Sequence, residues 1–286
     1  MASIISLKRR IKAAQNVSKT TKAMQMISAS KFKKAQNATL AGRPYVKKLM
    51  ELNQTVISKA ENKTLHPYMG TDAMTGKTLV IVLSPDKGLC GGLISNLLRE
   101  FLRYQKNNAE SSYVVIGKKM ETRVASFSKE ILATFSFGTT TPRFDMVYPI
   151  SKIIDEYYLG KKVDSVKVIF TNFSSIFSQT PEVATLLPIS LAQTEEKDTN
   201  ASYLFEPSAN EILPDLLRHY LEMSLYQYLL ESFASEQGAR MIAMKNATDN
   251  ANDIIDTLKL EYNKTRQAKI TSEILDLTSG AMQNEQ

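Results

Sequence analysis

Met244-Lys-Asn-Ala-Thr248-Asp-Asn-Ala251-Asn-Asp-Ile-Ile255-Asp-Thr-Leu258-Lys-Leu-Glu-Tyr262-Asn-Lys-Thr265 decides the fold. Met244, Thr248, Ala251, Ile255, Leu258, Tyr262 and Thr265 recur at alternating steps of four and three, the spacing at which one helix lies along another. After a slip of one residue, Ile270, Ile274, Leu277 and Ala281 resume the rhythm. Between Pro214 and Gly280 the only glycine is Gly238, and there is no proline. At ~1.5 Å per residue such a helix runs roughly 100 Å, against about 11–12 residues for an ordinary globular helix. A helix of that length needs a partner.

The other end of the chain supplies one. Residues 3 to about 58 predict a second long helix, with Ile4, Leu7, Ile11 and Ala14 at four–three spacing. Val17, Met24 and Ile27 continue it on a shifted phase, and Phe32 and Ala35 follow. Such drift is expected where two helices wrap imperfectly. Gly42 and Pro44 are the first breakers and predict a kink. Two seam-bearing helices at opposite ends of one chain pair most simply with each other, antiparallel.

Between them the pattern changes. Thr78–Ser84 (Thr-Leu-Val-Ile-Val-Leu-Ser) is a continuous apolar strand of the kind buried on both faces of a sheet. Leu93, Leu97, Leu98, Phe101 and Leu102 then mark a helix. Strands follow at Tyr113–Ile116, Ile131–Phe137, Val166–Phe173 and Glu182–Ile189, with helices at about Lys118–Ser128 and Met146–Tyr158. Alternation of this kind predicts a mostly parallel α/β sheet. The fold class is therefore α/β: a long antiparallel coiled coil of N- and C-terminal helices plus a Rossmann-like, mostly parallel α/β domain. The expected bounds are 1–60 for the first helix, 61–77 for a turn-rich linker and 78–192 for the α/β domain. A connecting loop, 193–207, and the last helix, 208–286, complete the chain. Ser208-x-x-Glu211 reads as a capping box for that helix, with Pro214 as the other candidate start.

Composition narrows the function. With 43% hydrophobic and 23% charged residues the 286-residue chain has the balance of a soluble, folded protein. No run reaches the ~18 apolar residues of a membrane span. The first residues show no apolar core followed by a cleavage site, so no export is expected. A lone cysteine, Cys90, excludes an internal disulfide. The first 50 residues carry twelve Lys or Arg and no acid, whereas the whole chain is only +7. So one-sided a segment is expected to meet something acidic, whether protein, nucleic acid or anionic lipid.

Chemistry is harder to find. Gly70-Thr-Asp-Ala-Met-Thr-Gly76-Lys77-Thr78 resembles a phosphate loop, but it has one residue too many between its glycines and precedes a strand instead of following one. Ser84-Pro-Asp-Lys-Gly-Leu-Cys-Gly-Gly92 is better placed, between the first strand and a helix, yet it is not G-x-G-x-x-G and no acid ends the second strand. It reads as a glycine-rich connection able to present Asp86 and Lys87. His66 and His219 lack metal-ligand spacing, Cys90 reads as packed, and no nucleophile elbow or H-E-x-x-H occurs. No cofactor, metal or catalytic residue is expected. Arg266 and Gln267 differ, being long donors at the point where the seam slips, within reach of a surrounding protein.

Three stretches together carry a family resemblance. One runs from Ile11-Lys-Ala-Ala-Gln-Asn-Val-Ser-Lys-Thr-Thr-Lys22-Ala-Met24-Gln-Met26 to Ala29-Ser-Lys31, and another is Asp86-Lys-Gly-Leu-Cys-Gly-Gly92 leading to Asn96. The third is Ser235-Glu-Gln-Gly-Ala-Arg240-Met-Ile-Ala-Met244, continuing through Tyr262-Asn-Lys-Thr-Arg266-Gln-Ala-Lys-Ile-Thr271-Ser-Glu273 to Ser279-Gly-Ala. The chain resembles, over essentially its whole length, the γ subunits of rotary, proton-driven ATP synthases. The resemblance implies that the paired helices form a central shaft and the α/β domain a foot on the membrane c ring, bound to the ε subunit. The shaft would transmit torque to the catalytic β subunits of the α/β head and help regulate ATPase activity and proton flow, with no nucleotide of its own and no nucleic-acid partner.

On this resemblance Lys19, Lys22, Lys31, Lys33 and Lys34 are expected to face acidic loops of β, with Met24 a flexible filler among them. Lys87 faces β from the foot. Arg266 and Gln267 hydrogen-bond a β loop, followed by Thr271 and Glu273, and Ile274, Leu277 and Ala281 turn inside an apolar sleeve. Chloroplast relatives carry a cysteine pair that this chain lacks, so no thiol switch is expected. The expected place is the cytoplasmic side of a bacterial inner membrane, peripheral, ahead of the mitochondrial inner membrane. The alternative is a basic coiled-coil protein that binds nucleic acid or anionic membrane.

Overall fold

The computed structural model describes residues 4–59, 66–70, 75–108, 110–127, 130–189, 205–206 and 208–283, with residue 59 and the last eight by backbone alone. Its elements are α1 (Ile4–Lys59), β1 (Thr78–Leu83), α2 (Leu93–Asn107), β2 (Ser111–Ile116), α3 (Lys118–Phe127), β3 (Ile131–Phe135), α4 (Tyr148–Tyr158), β4 (Ser165–Phe173), β5 (Gln179–Leu187) and α5 (Ala209–Gln283). Contacts divide the chain into one unit of residues 1–28 with 241–286 and another of 29–240.

In the larger unit five strands lie in the order β3-β2-β1-β4-β5. The pairings β1–β2, β1–β4 and β2–β3 are parallel. β5 alone is antiparallel, folding back on β4 through residues 174–178. It begins at Gln179, ahead of the expected Glu182, and takes Pro181 into a sheet edge, where a missing N–H costs no ladder bond. Every residue of β1 is buried, because helices cover both faces of the sheet. Val80, Val82, Tyr113, Val115 and Ile169 meet Leu97 and Phe101 of α2 and Met120 and Val124 of α3. Leu79, Ile81, Val114, Val166 and Val168 face Ile150 and Ile154 of α4, with Leu213, Leu217, Leu221, Leu225 and Leu229 of α5. Those five leucines recur every fourth residue, so the first part of α5 is a core helix of the α/β unit.

α5 opens as the capping box predicts. Ser208 Oγ accepts the Glu211 N–H at 3.3 Å and donates to the Glu211 carboxylate at 3.1 Å, which leaves Pro214 inside the helix. α1 continues as one helix through Gly42 and Pro44, where the sequence places its first breakers. Within the larger unit it lies against α5 through Phe32, which touches Gly238, and through Gln227, whose amide donates to the Thr39 carbonyl at 3.1 Å. Arg43 reaches Glu231 at 3.0 Å and the Phe173 carbonyl at 2.5 Å, tying α1 to both α5 and the β4–β5 turn. The linker holds a single helical turn at Pro67–Met69, where the His66 ring accepts the Tyr68 N–H at 3.2 Å and Tyr68 is buried. The expected loop 193–207 lies outside the described residues except at 205–206.

The smaller unit is an antiparallel pair made of α1 up to Ser28 and α5 from Met241. Met244, Thr248, Ala251, Ile255 and Leu258 are buried, and Tyr262 and Thr265 half-buried, as their spacing predicts. The shifted phase expected on α1 does not occur. Its inward positions continue unshifted from Leu7, Ile11 and Ala14 to Ser18, Thr21, Gln25 and Ser28, while Val17, Met24 and Ile27 are exposed. Position, not hydrophobicity, sets which side chains face the partner, and the small hydroxyls find partners there. Thr21 and Thr248 hydroxyls lie 2.7 Å apart, and Ser18 Oγ donates to Asn252 Oδ1 at 2.8 Å.

Candidate functional site

Open α/β sheets bind ligands at the carboxyl ends of the strands where the chain connections diverge, here between β1 and β4. In this chain α5 fills that crevice. Leu229, Ser232, Phe233 and Glu236 line it opposite Ser84, Asp86, Gly117 and Thr171, leaving about 50 Å³. Small-molecule pockets typically need about 300–1,000 Å³. The helix also satisfies the strand end: Ser232 Oγ accepts the Thr171 N–H at 3.4 Å, and Ser235 Oγ donates to the Thr171 carbonyl at 3.2 Å. Gly117, at φ 98°, passes so near β1 that a Cβ would sit 1.9 Å from the Ser84 carbonyl oxygen. At the phosphate-loop look-alike, the Gly76 N–H already donates to Asp164 at 2.7 Å. Bonds from Thr75 and Gly76 hold the Asp164 carboxyl below its usual range. The fold's customary ligand positions are thus occupied by its own groups.

The turn after β1 is organised by charge. Asp86 accepts the Lys118 N–H at 3.0 Å, the Gly138 N–H at 2.7 Å and the Ser136 hydroxyl at 3.0 Å. From α5, Arg240 donates to the carbonyls of Gly88 at 3.2 Å and Lys87 at 2.9 Å, and pairs with Glu236 at 2.6 Å. Burial pushes the Glu236 carboxyl up, and Arg240 pulls it back. Cys90 is 1% exposed and its thiol is pushed up by burial, so it is packed and weakly reactive. The Lys87 side chain is exposed. Lys31 donates to the Thr139 carbonyl, fastening α1 to the loop after β3, whereas Lys33 and Lys34 are exposed.

In the smaller unit Lys19, Lys22 and Met24 are exposed on α1, and Arg266, Gln267, Thr271 and Glu273 on α5. Thr271 Oγ1 donates to the Gln267 carbonyl at 3.0 Å, and Glu273 meets Lys269 at 3.5 Å, both local to the helix. Among the described residues Lys8, Arg9, Arg10, Lys12, Lys19 and Lys22 form no ion pair, although Asp249, Asp253, Asp256 and Glu261 lie on α5 of the same unit. The register of Thr21 with Thr248 and Ser18 with Asn252 places Ile4, the first described residue of α1, opposite the neighbourhood of Arg266. Beyond that point Ile270 and Ile274 are exposed; the side chains of Leu277 and Ala281 lie outside the described residues.

One feature went unread from sequence. Arg240 and Glu236 had only their four-residue spacing as a signal, since the partners of Arg240 are carbonyls far away in the chain. His219 lies on the helix surface, 2.8 Å from the Tyr45 hydroxyl across α1 and α5.

Comparison with known proteins covers nearly the whole chain. The sequence model of the family described as ATP synthase matches residues 3–282. The ATP synthase gamma chain of Dehalococcoides mccartyi (strain CBDB1) is 39% identical over 98% of this chain and 99% of its own length. That of Ruthia magnifica subsp. Calyptogena magnifica is 36% identical over the same shares. Among solved structures, a chain of the Tetrahymena thermophila mitochondrial ATP synthase central stalk and c ring superposes with a TM-score of 0.60 at 27% identity, over 80% of this chain and 99% of that one.

Proposed function

Because the chain belongs to the ATP synthase gamma-chain family, we propose that it is the rotor subunit that carries torque from a membrane c ring to the catalytic β subunits of a proton-driven ATP synthase, and takes part in regulating ATPase activity and proton flow. The gamma chain is a non-catalytic central-stalk subunit, and catalysis lies in other subunits. On this reading the α/β unit rests on the c ring and ε, and the helical pair turns inside the α and β subunits. No helix among the described residues is long and apolar enough to cross a membrane, which fits a peripheral subunit on the cytoplasmic side of a bacterial inner membrane.

The observation that carries the proposal is the character of the helical pair. Its seam is pinned by cross-helix hydrogen bonds at Thr21–Thr248 and Ser18–Asn252, which resist sliding of one helix along the other. Its α1 face is a row of cations without ion pairs among the described residues. A pinned pair can pass on a twist, and bare cations attract acidic loops at long range without locking into deep bonds. Lys19, Lys22, Lys33 and Lys34 supply that attraction, with Met24 as a deformable contact. Lys31 is engaged with Thr139 and acts at closer quarters. Arg266 and Gln267, with Thr271 and Glu273 further along, grip a β loop.

Reconstitution tests the proposal. Purified α and β should assemble and hydrolyse ATP faster with this chain than without it. No gain in either would sink the reading, and salt-sensitive binding to DNA or anionic vesicles in its place would favour the basic coiled-coil alternative. Arg266→Ala with Gln267→Ala should weaken coupling of proton flow to synthesis while the melting temperature stays put. Unchanged coupling would return both residues to solvated surface.

A further inference from the structure

The turn Asp86–Gly92 is held more firmly than a connection requires, and it holds out a residue poorly suited to its backbone. Leu89 has φ 63°, in the left-handed region that a branched side chain rarely adopts. Its side chain is 61% exposed, so no burial compensates the strain. Glycine would take the same conformation freely, and the chain already places glycine at 88, 91 and 92. Strained positions persist only where their surroundings over-determine them. Here Asp86 anchors one side of the turn to Lys118, Ser136 and Gly138, buried Cys90 fixes the other, and Arg240 holds the carbonyls of Lys87 and Gly88. The Arg240 side chain is only 11% exposed and that of Glu236 9%, so this ion pair is largely shielded from water and holds the guanidinium in place, while its bond to the Lys87 carbonyl lies at the surface.

We infer that Arg240 is a positioning residue that fixes residues 87–89 so that Leu89 and the Lys87 ammonium stand out together as one contact for the β subunit. The inference rests on the proposed function, in which Lys87 faces β. It adds Leu89 as the apolar anchor and Arg240 as the group that aims it. The partner surface is an acidic loop with an apolar centre, because an exposed leucine beside an ammonium is matched by a hydrophobic spot flanked by carboxylates. A turn serving only to join β1 to α2 needs neither the leucine nor the clamp.

The test uses the full chain titrated with purified α and β, comparing the native protein with Leu89→Gly, Arg240→Lys and Lys87→Ala. Leu89→Gly should melt no lower than the native chain yet bind the head about tenfold more weakly, as expected for loss of an interface anchor. Arg240→Lys keeps a charge opposite Glu236, but one ammonium cannot span both carbonyls, and binding should weaken about fivefold. In a Leu89→Gly, Lys87→Ala background the same Arg240→Lys change should cost less than about twofold, because nothing remains to be aimed. An equal cost in both backgrounds would show a merely structural role and overturn the inference, as would native-strength binding by Leu89→Gly. If the native chain itself fails to bind α and β, the proposed function fails and the inference falls with it. If the native chain binds and the variants match it, only the inference falls.

Discussion

Gly42→Ala sets helix propensity against packing, with opposite signs. In an exposed helix the change should stabilise by about 1 kcal/mol. Here a Cβ at position 42 would sit 2.3 Å from Gln227 Oε1, inside any real contact distance. The end of a glutamine side chain usually moves aside, but this one is 6% exposed and pinned. Its amide donates to the Thr39 carbonyl at 3.1 Å and to Glu231 at 3.0 Å, and Glu231 in turn holds Arg43 at 3.0 Å. Withdrawing the amide forfeits about 1 kcal/mol for the bond to the carbonyl and about 1.5–3 kcal/mol for the bond to the carboxylate. Set against the propensity gain, the net destabilisation is about 2 kcal/mol, a fall in melting temperature of roughly 4–8 °C for a unit of this size. Thermal unfolding followed by circular dichroism measures it. In a Gln227→Ala background the clash is gone, and Gly42→Ala should become neutral or mildly stabilising. A rise in melting temperature in the native background would refute the packing argument.

Other perturbations probe the remaining layers. Thr21→Val or Thr248→Val alone should each cost about 0.5–1.5 kcal/mol in urea unfolding, and the double variant should recover most of it, since two apolar partners replace a hydrogen-bonded pair; additive losses would show that the 2.7 Å contact carries no coupling. Burial pushes the Tyr228 phenol up from its ordinary 10.0 to about 12. The folded chain keeps that proton where the unfolded chain has released it, so this contribution to stability is whole below pH 10 and is lost as pH rises toward 12. Tyr228→Phe should flatten the fall in melting temperature across that window, and an unchanged slope would place the alkaline loss elsewhere.

How much was legible depended on whether sequence spacing and hydrophobicity marked the same residues. On α5 they did, because Met244, Ala251, Ile255 and Leu258 are apolar as well as correctly spaced, and the strand Thr78–Leu83 stood out for the same reason. The slip after Thr265 was visible too, and Ile270 and Ile274 beyond it are exposed. On α1 the two signals part company. Ser18, Thr21, Gln25 and Ser28 hold the inward positions, so apolar residues alone point to the wrong phase, whereas extending the spacing from Leu7 and Ile11 finds the right one. The Arg240 clamp was out of reach because backbone carbonyls distant in the chain leave no mark on composition or period. The same inversion bears on function. α1 turns small hydroxyls toward α5 and leaves Val17, Met24, Met26 and Ile27 exposed among lysines that form no ion pair among the described residues. A helix meant only for water would place those groups the other way round, since burying the apolar ones gains more than burying serine. The arrangement makes physical sense when the outer face also meets protein, apolar side chains giving contact area and lysines giving long-range attraction. On the proposed function, that surface lets a shaft touch successive acidic loops without binding any one of them for long.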